Sequence, residues 1–487
     1  MNSIGRIVWR LKRNSGISRV ALLFLMLASV SAFAVKPTKP ICLHPDNPHY
    51  FLFRDKPTVL ISSTEHYGGV MNLDFDYVTY FKELGSKGLN LTRTFSGAYV
   101  ESSKSFNIKD NTLAPAADRF ICPWARSTTP GYAGGGNKFD LTKWNAAYFQ
   151  RLRDFVAQAG KRGIVVEMVL FCPYYDEDQW NLSPLKASNN INGVGTVART
   201  SANTLQNGNL LAVQDAMVRK IVAELKDFDN LYYEICNEPY FGGVTLDWQA
   251  HIAATIVSAE SSFPCRHLIA QNIANGSAKV ENPNPAVSIF NFHYATPPVT
   301  VGLNYGLSKV IADDETGFKG TNDKPYRTEG WDFILAGGGV YDNLDYSFTA
   351  AHPNGTFAFP KTQPGGGGPA LRKQLEILAD FISSFDFVKM APDNSVIKGG
   401  VTSGTTARAL AEPGKQYAIY VKGGTQINLV LDLPAGRYRA EWVNPRTGKI
   451  ENPQTVNHSG GNITLISPPY SEDIALRVVK RRSFLGR

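Results

Sequence analysis

Between residues 58 and 344 the chain repeats one pattern, a short apolar, β-branched run followed by a longer stretch with helical spacing. The runs predict strands at Thr58–Ser63, Leu89–Phe95, Ile164–Phe171, Leu231–Asn237, His267–Ile273, Ser288–Tyr294, Lys309–Glu315 and Gly339–Leu344. The 3.6-residue period predicts helices at Phe75–Lys87, Leu210–Asp227 and Trp248–Phe263. It also predicts one at Leu141–Arg162, with Trp144, Tyr148, Leu152, Phe155 and Val156 on one face. Eight strands alternating with helices indicate an α/β chain folded as a (β/α)8 TIM barrel. A doubly wound open sheet would alternate in the same way, but no glycine-rich phosphate loop follows the first strand.

Helix Ala370–Phe387, after the glycine-rich connection Gln363–Pro369, closes the barrel, and the period then changes. Tyr417–Val421, Ile427–Leu433, Gly436–Val443, Asn462–Ile466 and Asp473–Val479 are short alternating runs. Turn signals such as Pro434-Ala435-Gly436 separate them, as in a small antiparallel β-sandwich. The expected layout is a barrel over residues 35–392 and a sandwich over 393–487. The length of 487 residues accommodates both.

Charge alters the picture only at the ends. The formal net charge of +8 suggests a polyanion partner until its location is considered. Arg6, Arg10, Lys12, Arg13 and Arg19 carry part of it, and Lys480, Arg481, Arg482 and Arg487 carry the rest, so the body is slightly acidic. Nucleic acid is therefore not an expected partner. The basic start leads into the apolar run Ala21–Val30 and the small residues Ser31-Ala32-Phe33-Ala34, the order of a secretory signal cleaved after Ala34. A membrane anchor would need about 20 apolar residues. The mature chain is expected to be secreted or periplasmic, with no membrane span. Export permits disulfides, and of the five cysteines Cys42 and Cys122 are the pair considered, while Cys172 and Cys236 read as core residues.

Reacting groups of such barrels sit where strands end. Glu238 follows strand four in Tyr233-Glu234-Ile235-Cys236-Asn237-Glu238-Pro239, and Glu315 ends strand seven before Thr316-Gly317. The interval fits three βα units of about 25 residues, which places the two acids across the barrel mouth from each other. Cleavage of a glycosidic bond needs such a pair, one carboxyl giving a proton to the leaving oxygen and an ionised partner assisting at the anomeric carbon.

This constellation resembles the retaining glycoside hydrolases built on (β/α)8 barrels. The resemblance implies Glu238 as acid/base, Glu315 as nucleophile and Asn237 as the contact of the sugar 2-hydroxyl. It implies Arg93 beside the nucleophile and His293 or Tyr294 as the strand-six partner. It also requires an irregular end to strand four, because strict alternation points consecutive residues apart. His49–Tyr67, Phe139–Phe171 with Tyr174-Tyr175-Asp176, and Trp442–Gly448 are similar to exported bacterial proteins of the DUF4038 and apiosidase-like group, which often end in a sandwich of the collagen-binding type. A poly- or oligosaccharide substrate is implied.

Further candidates for the mouth are Glu65 and His66 after strand one, Tyr175, Asp176 and Trp180 after strand three, and Trp331 before strand eight. Glu329 is a rival nucleophile in a helix-forming stretch, and Glu167 and Glu234 read as paired acids inside the barrel. No metal or other cofactor is expected, since the eight histidines form no cluster with ligand spacing. The alternative reading is a non-catalytic surface or matrix-binding protein in which the barrel is a relic.

Overall fold

In the computed structural model, which describes residues 39–481, eight parallel strands form the expected barrel. They are β1 (Leu60–Thr64), β2 (Leu91–Phe95), β3 (Val165–Phe171), β4 (Leu231–Cys236), β5 (Ile269–Asn275), β6 (Ile289–His293), β7 (Val310–Glu315) and β8 (Val340–Leu344). Every pair from β2 round to β8 and β1 shares a backbone ladder. The seam between β1 and β2 is closed largely by Asn90, whose Oδ1 accepts from Ile61 N–H at 2.8 Å and whose Nδ2 donates to the Val59 carbonyl at 2.9 Å.

Helices α1 (Tyr77–Ser86), α2 (Ala146–Gly160), α3 (Leu210–Leu225), α4 (Leu246–Ala259), α5 (Val299–Asn304), α6 (Asp323–Leu335) and α7 (Pro369–Ser383) form the outer layer. Side-chain caps start several of them. Asp76 accepts from Val78 and Thr79 N–H, and Asn145 from Ala147 and Tyr148 N–H. The Asn145 cap also corrects the long helix expected from Leu141. Residues Asn137–Trp144 instead pair with Trp124–Pro130 as a hairpin, so Trp144 is on a strand and meets Phe149 edge-on. No helix joins β5 to β6.

A short antiparallel sheet, Cys42–Leu43, Phe51–Phe53 and Lys56–Thr58, underlies the N-terminal end of the barrel. Cys42 belongs to it, whereas Cys122 is buried against Gly97 beyond the opposite end of β2, so this pair cannot bridge and both thiols are free.

The C-terminal strands are β9 (Thr406–Glu412), β10 (Gln416–Lys422), β11 (Asn428–Leu433), β12 (Gly436–Val443), β13 (Ile450–His458), β14 (Gly461–Ile466) and β15 (Asp473–Lys480). One antiparallel sheet runs β9-β10-β15-β12-β13, and a smaller one sets Ile397–Gly399 and β14 on either side of β11. They enclose an apolar core containing Leu429, Leu431, Trp442 and Leu476. Their outer face joins the barrel core through Leu410, Ala418, Tyr420 and Ala475. Arg327 on α6 ties this junction by a bidentate pair with Asp473, at 3.0 and 2.9 Å.

The expected signal segment and most of the basic tail lie outside the described residues. Among the described residues no helix is long and apolar enough to cross a membrane.

Candidate active site

Two departures from regular strand geometry shape the mouth of the barrel. Glu238 takes a positive φ of 38°, a conformation that costs a non-glycine residue about 1–3 kcal/mol, and it ends the alternation that would turn it away from Asn237. Both side chains therefore line one cavity, and the irregular strand end required by the Asn-Glu pair is present. Between β6 and β7 the register shifts after Phe292, which places His293 opposite Glu315, and Tyr294 follows with φ 55°.

The cavity is lined by Tyr67, Tyr175, Asn237, Glu238, Tyr294 and Glu315 together with His66, Glu101 and the apolar Phe95, Phe106 and Phe318. A carboxylate oxygen of Glu238 and one of Glu315 lie within 4.8 Å of each other. His293 sits between the two acids, its Nδ1 3.1 Å from Glu238 and 3.4 Å from Glu315.

Each acid has its own set of donors. Glu315 accepts from the hydroxyls of Tyr67 at 2.7 Å and Tyr294 at 2.9 Å, and from Arg93 Nη1 at 3.3 Å. Glu238 accepts from the Tyr175 hydroxyl at 2.6 Å and the Tyr240 hydroxyl at 3.3 Å. Asn237 is oriented without ambiguity. Its Oδ1 accepts from Arg93 at 3.0 Å, and since a guanidinium only donates, the amide NH2 must face Tyr175 and the cavity.

Beneath the mouth, buried Arg93 is surrounded by acids. It reaches Glu234 at 2.5 Å and Glu167 and Asp314 at 3.3 Å. Burial raises the pKa of Glu167, with the Asp314 charge adding to it, and pushes Asp314 up to about 7 despite Arg93 and His293. Glu167 and Asp314 thus hold on to protons more tightly than free carboxyls do. Glu315 behaves in the opposite way. Burial would raise its pKa, but His293, Arg93 and the Tyr67 hydroxyl outweigh that and hold the carboxyl well below the usual range. Burial would likewise lower the His293 pKa, yet Glu315, Asp314 and the hydrogen bond to Glu238 raise it well above normal, so the ring carries both protons. Glu315 is an ionised group beside a cation.

The structure thus brings together Glu238, Glu315, Asn237, Arg93, His293, Tyr294, His66 and Tyr175. It places the other candidates elsewhere. Glu65 is fully buried under the turn after β1, accepting from Gly68 and Gly69 N–H and Thr112 Oγ1; a Cβ at Gly69 would come within 2.9 Å of its Oε1. Asp176 caps the short helix Glu177–Leu182 in a capping box with Gln179. Trp180, on that helix, is buried against Tyr174. Trp331 is buried on α6 between Phe381 and Tyr420, where the sandwich covers the helix. Glu329 is paired with Lys319 and Thr316, away from the cavity.

Sequence reasoning missed Tyr67, Tyr240 and Glu101. Tyr67 has φ 58°, and the adjoining Gly68-Gly69 was the one local signal of a tight turn there.

Residues 391–476 match the family described as "Putative collagen-binding domain of a collagenase". No curated protein matches the chain. Among solved structures it is similar to a "putative glycoside hydrolase" from Bacteroides vulgatus, with 16% identity, 91% of this chain and 82% of the other covered and a TM-score of 0.64. It is also similar to a family 5 glycoside hydrolase from the same organism, again 16% identical, with coverages of 91% and 93% and a TM-score of 0.61. The chain shares their fold. At this identity the likeness extends to architecture, and the chemistry has to be argued from the site.

Proposed function

We propose that the protein is an exported glycoside hydrolase that cleaves a glycosidic bond in a poly- or oligosaccharide by a retaining double displacement. The carrying observation is the facing pair Glu238 and Glu315, with carboxylate oxygens within 4.8 Å of each other in one cavity. Retaining enzymes set their carboxyl groups about 5–5.5 Å apart, whereas inverting ones leave about 6.5–9.5 Å for a water.

In this reading Glu315, held ionised, attacks the anomeric carbon while Glu238 protonates the leaving oxygen. The bond from carbon to the leaving oxygen breaks as the glycosyl ester forms. Glu238 then removes a proton from water, which displaces Glu315 and returns the acid to its starting state. Tyr67 and Tyr294 fix the carboxylate that attacks, and the Asn237 amide is presented toward the 2-hydroxyl. The barrel residues 35–392 carry the reaction and the sandwich 393–487 is an appended domain of the exported chain. The fold shared with glycoside hydrolases supports the substrate class.

A second reading, a matrix-binding protein with an idle barrel, draws on the family matched by residues 391–476. The test that separates them is a hydrolysis screen over plant, algal and bacterial glycans with the wild type and with Glu315→Ala and Glu238→Ala. With an activated aryl glycoside and azide, Glu238→Ala should yield the glycosyl azide of retained configuration and Glu315→Ala the inverted one. Identical anomers from both would refute the role assignment, and hydrolysis unaffected by either substitution would end the glycosidase reading.

A further inference from the structure

The loops around the barrel mouth are tied together on one side and separate on the other. The loop after β2 passes the end of β1 and meets the loop after β8, where Asn107 Nδ2 donates to the Thr362 carbonyl and Lys109 N–H donates to Gln363 Oε1, each at 3.2 Å. Gln363 is 3% exposed, so the bridge has a buried anchor. The loop after β7 joins the same wall through Gly320 N–H, which donates to the Pro364 carbonyl at 2.9 Å. At the outer rim Phe106, from the loop after β2, and Phe318, from the loop after β7, meet edge to face with ring centroids 6.3 Å apart. Their rings continue to Tyr175 at 5.4 Å and to Tyr294 at 6.4 Å.

The space behind this wall is small. The catalytic cavity holds about 60 Å³, room for about five waters and so for one sugar ring rather than a chain. On the walled side it is lined by Phe95, Tyr99, Leu113 and Leu344 with His66 and Glu101, all buried. Glu101 accepts from the Tyr99 hydroxyl at 3.0 Å and from Asn111 Nδ2, which leaves carboxylate lone pairs for a ligand hydroxyl. Among the described residues the lining includes no lysine or arginine, and its acids are Glu101, Glu238 and Glu315, a set that disfavours a ligand carrying a carboxylate. The other side is open. Beyond Glu238, Tyr240 and Phe241 are 37% and 42% exposed.

An internal unit of a glycan needs room for chain on both of its sides, whereas a terminal unit needs it on one. We propose that the protein acts at chain ends, taking a single neutral sugar from the non-reducing terminus, and that the bridge built on Asn107, Lys109 and Gln363 is what excludes internal units. This rests on the glycosidase reading, in which Glu238 delivers its proton to the leaving oxygen and the open side beyond it therefore belongs to the departing chain. The terminal sugar then fills the walled side, with its anomeric carbon between the two acids and a hydroxyl remote from that carbon donating to Glu101. Phe106 and Phe318 close the rim over it.

The test uses the full chain and matched probes, gluco-, manno- and galacto-tetrasaccharides whose non-reducing terminal sugar is either free or closed at its 4- and 6-hydroxyls by a benzylidene acetal. In calorimetric titrations of Glu315→Ala, a free form should bind and its blocked form should bind at least about tenfold more weakly. Equal binding of the two forms, or binding of neither in every pair, overturns the proposal. A tetrasaccharide ending in glucuronate should bind more weakly than its gluco counterpart, and tighter binding overturns the choice of a neutral sugar. Asn107→Gly with Gln363→Ala, added to Glu315→Ala, removes both side chains of the bridge while glycine keeps the φ of 57° at position 107. The affinity of the blocked form relative to the free one should then rise about tenfold, the effect expected from relieving one steric exclusion, and an unchanged ratio overturns the role of the bridge. On a glycan that the wild type hydrolyses, monosaccharide should appear from the start while size-exclusion chromatography shows the polymer length unchanged. Early shortening of the polymer overturns chain-end action and leaves the glycosidase reading intact. Discrimination between free and blocked termini with no glycan hydrolysed supports the walled pocket and ends the glycosidase reading.

Discussion

The same eight strands end very differently at the two ends of the barrel. At the N-terminal end Leu60, Leu91, Val165, Tyr232, Ala270, Ile289, Val310 and Val340 form one buried layer, capped by Ile41, Phe51 and Phe53. Two residues further along, Leu91 gives way to Arg93, Val165 to Glu167, Tyr232 to Glu234 and Ile289 to Asn291, all of them buried. One layer higher lie Glu238, Tyr294 and Tyr67 with positive φ, and the register shift beside Glu315. The lower end is regular and apolar, the upper end irregular and charged. Regular packing stabilises the barrel, and that stability supports buried charge and backbone strain at the candidate site.

The largest effect expected from breaking this division is at the upper end. Glu315→Ala should lower kcat on a natural glycan on the order of 10⁴-fold or more, as loss of a reacting group does, with a thermal midpoint within a few degrees of wild type. A loss of less than a hundredfold would show that Glu315 does not react. Between the ends, Arg93→Met removes the cation shared by Glu167, Glu234, Asp314 and Glu315. It should cost about 3–5 kcal/mol by urea titration at neutral pH. Part of that loss should return on acidification as Glu315, left without this cation, takes up a proton, and a cost independent of pH would contradict the pairing of Arg93 with an ionised Glu315.

At the lower end, Ile289→Ala should cost about 2–5 kcal/mol while leaving kcat of the folded enzyme near wild type, because it opens a cavity far from the mouth. A large change in kcat would erase the distinction between the ends. The smallest single effect expected is that of Tyr294→Phe, which removes one hydrogen bond to Glu315 and should reduce kcat/KM about tenfold.

A pH series sharpens the same contrast. Glu315, with its pKa lowered in the folded chain, contributes stability above about pH 4.3 that is lost as pH falls through its folded value. His293, with its pKa raised, contributes stability below about pH 6.5 that is lost as pH rises through its folded value. Both contributions are complete between about pH 4.3 and 6.5. Because Glu315 is a main cause of the His293 shift, Glu315→Gln should move the alkaline decline to lower pH as well as removing its own acid-side contribution. Urea midpoints that decline at the same alkaline pH in both proteins would show that the two groups are not coupled.

Legibility along the sequence follows how local each signal is. Strands β2, β3 and β7 are all buried and bounded by turns, and their limits agree with expectation to within two residues. β13, Ile450–His458, is mostly exposed and polar, carries no alternation and went unseen. The hairpin strand Asn137–Trp144 was absorbed into the helix after it, because its apolar residues happened to continue the helical spacing across Asn145.

The sequence by itself determined the barrel, since eight apolar runs spaced by helices have few ways to bury themselves. It also determined that Glu238 and Glu315 stand at strand ends, because proline and glycine stop those strands and chain order then assigns them to β4 and β7. Where the other polar and aromatic side chains went was decided in three dimensions. Trp331 and Trp180 look like open aromatic platforms in sequence, yet the sandwich covers one and Tyr174 packs on the other. Glu65 lies beside the mouth in sequence and beneath it in space, held by two amides and a threonine 47 residues away. Tyr67 and Tyr240 reach the acids only because of positive backbone angles at Tyr67 and Glu238. Hydrophobic period is set by neighbours in the chain, whereas the partner of a buried polar group is set by which distant segment packs against it.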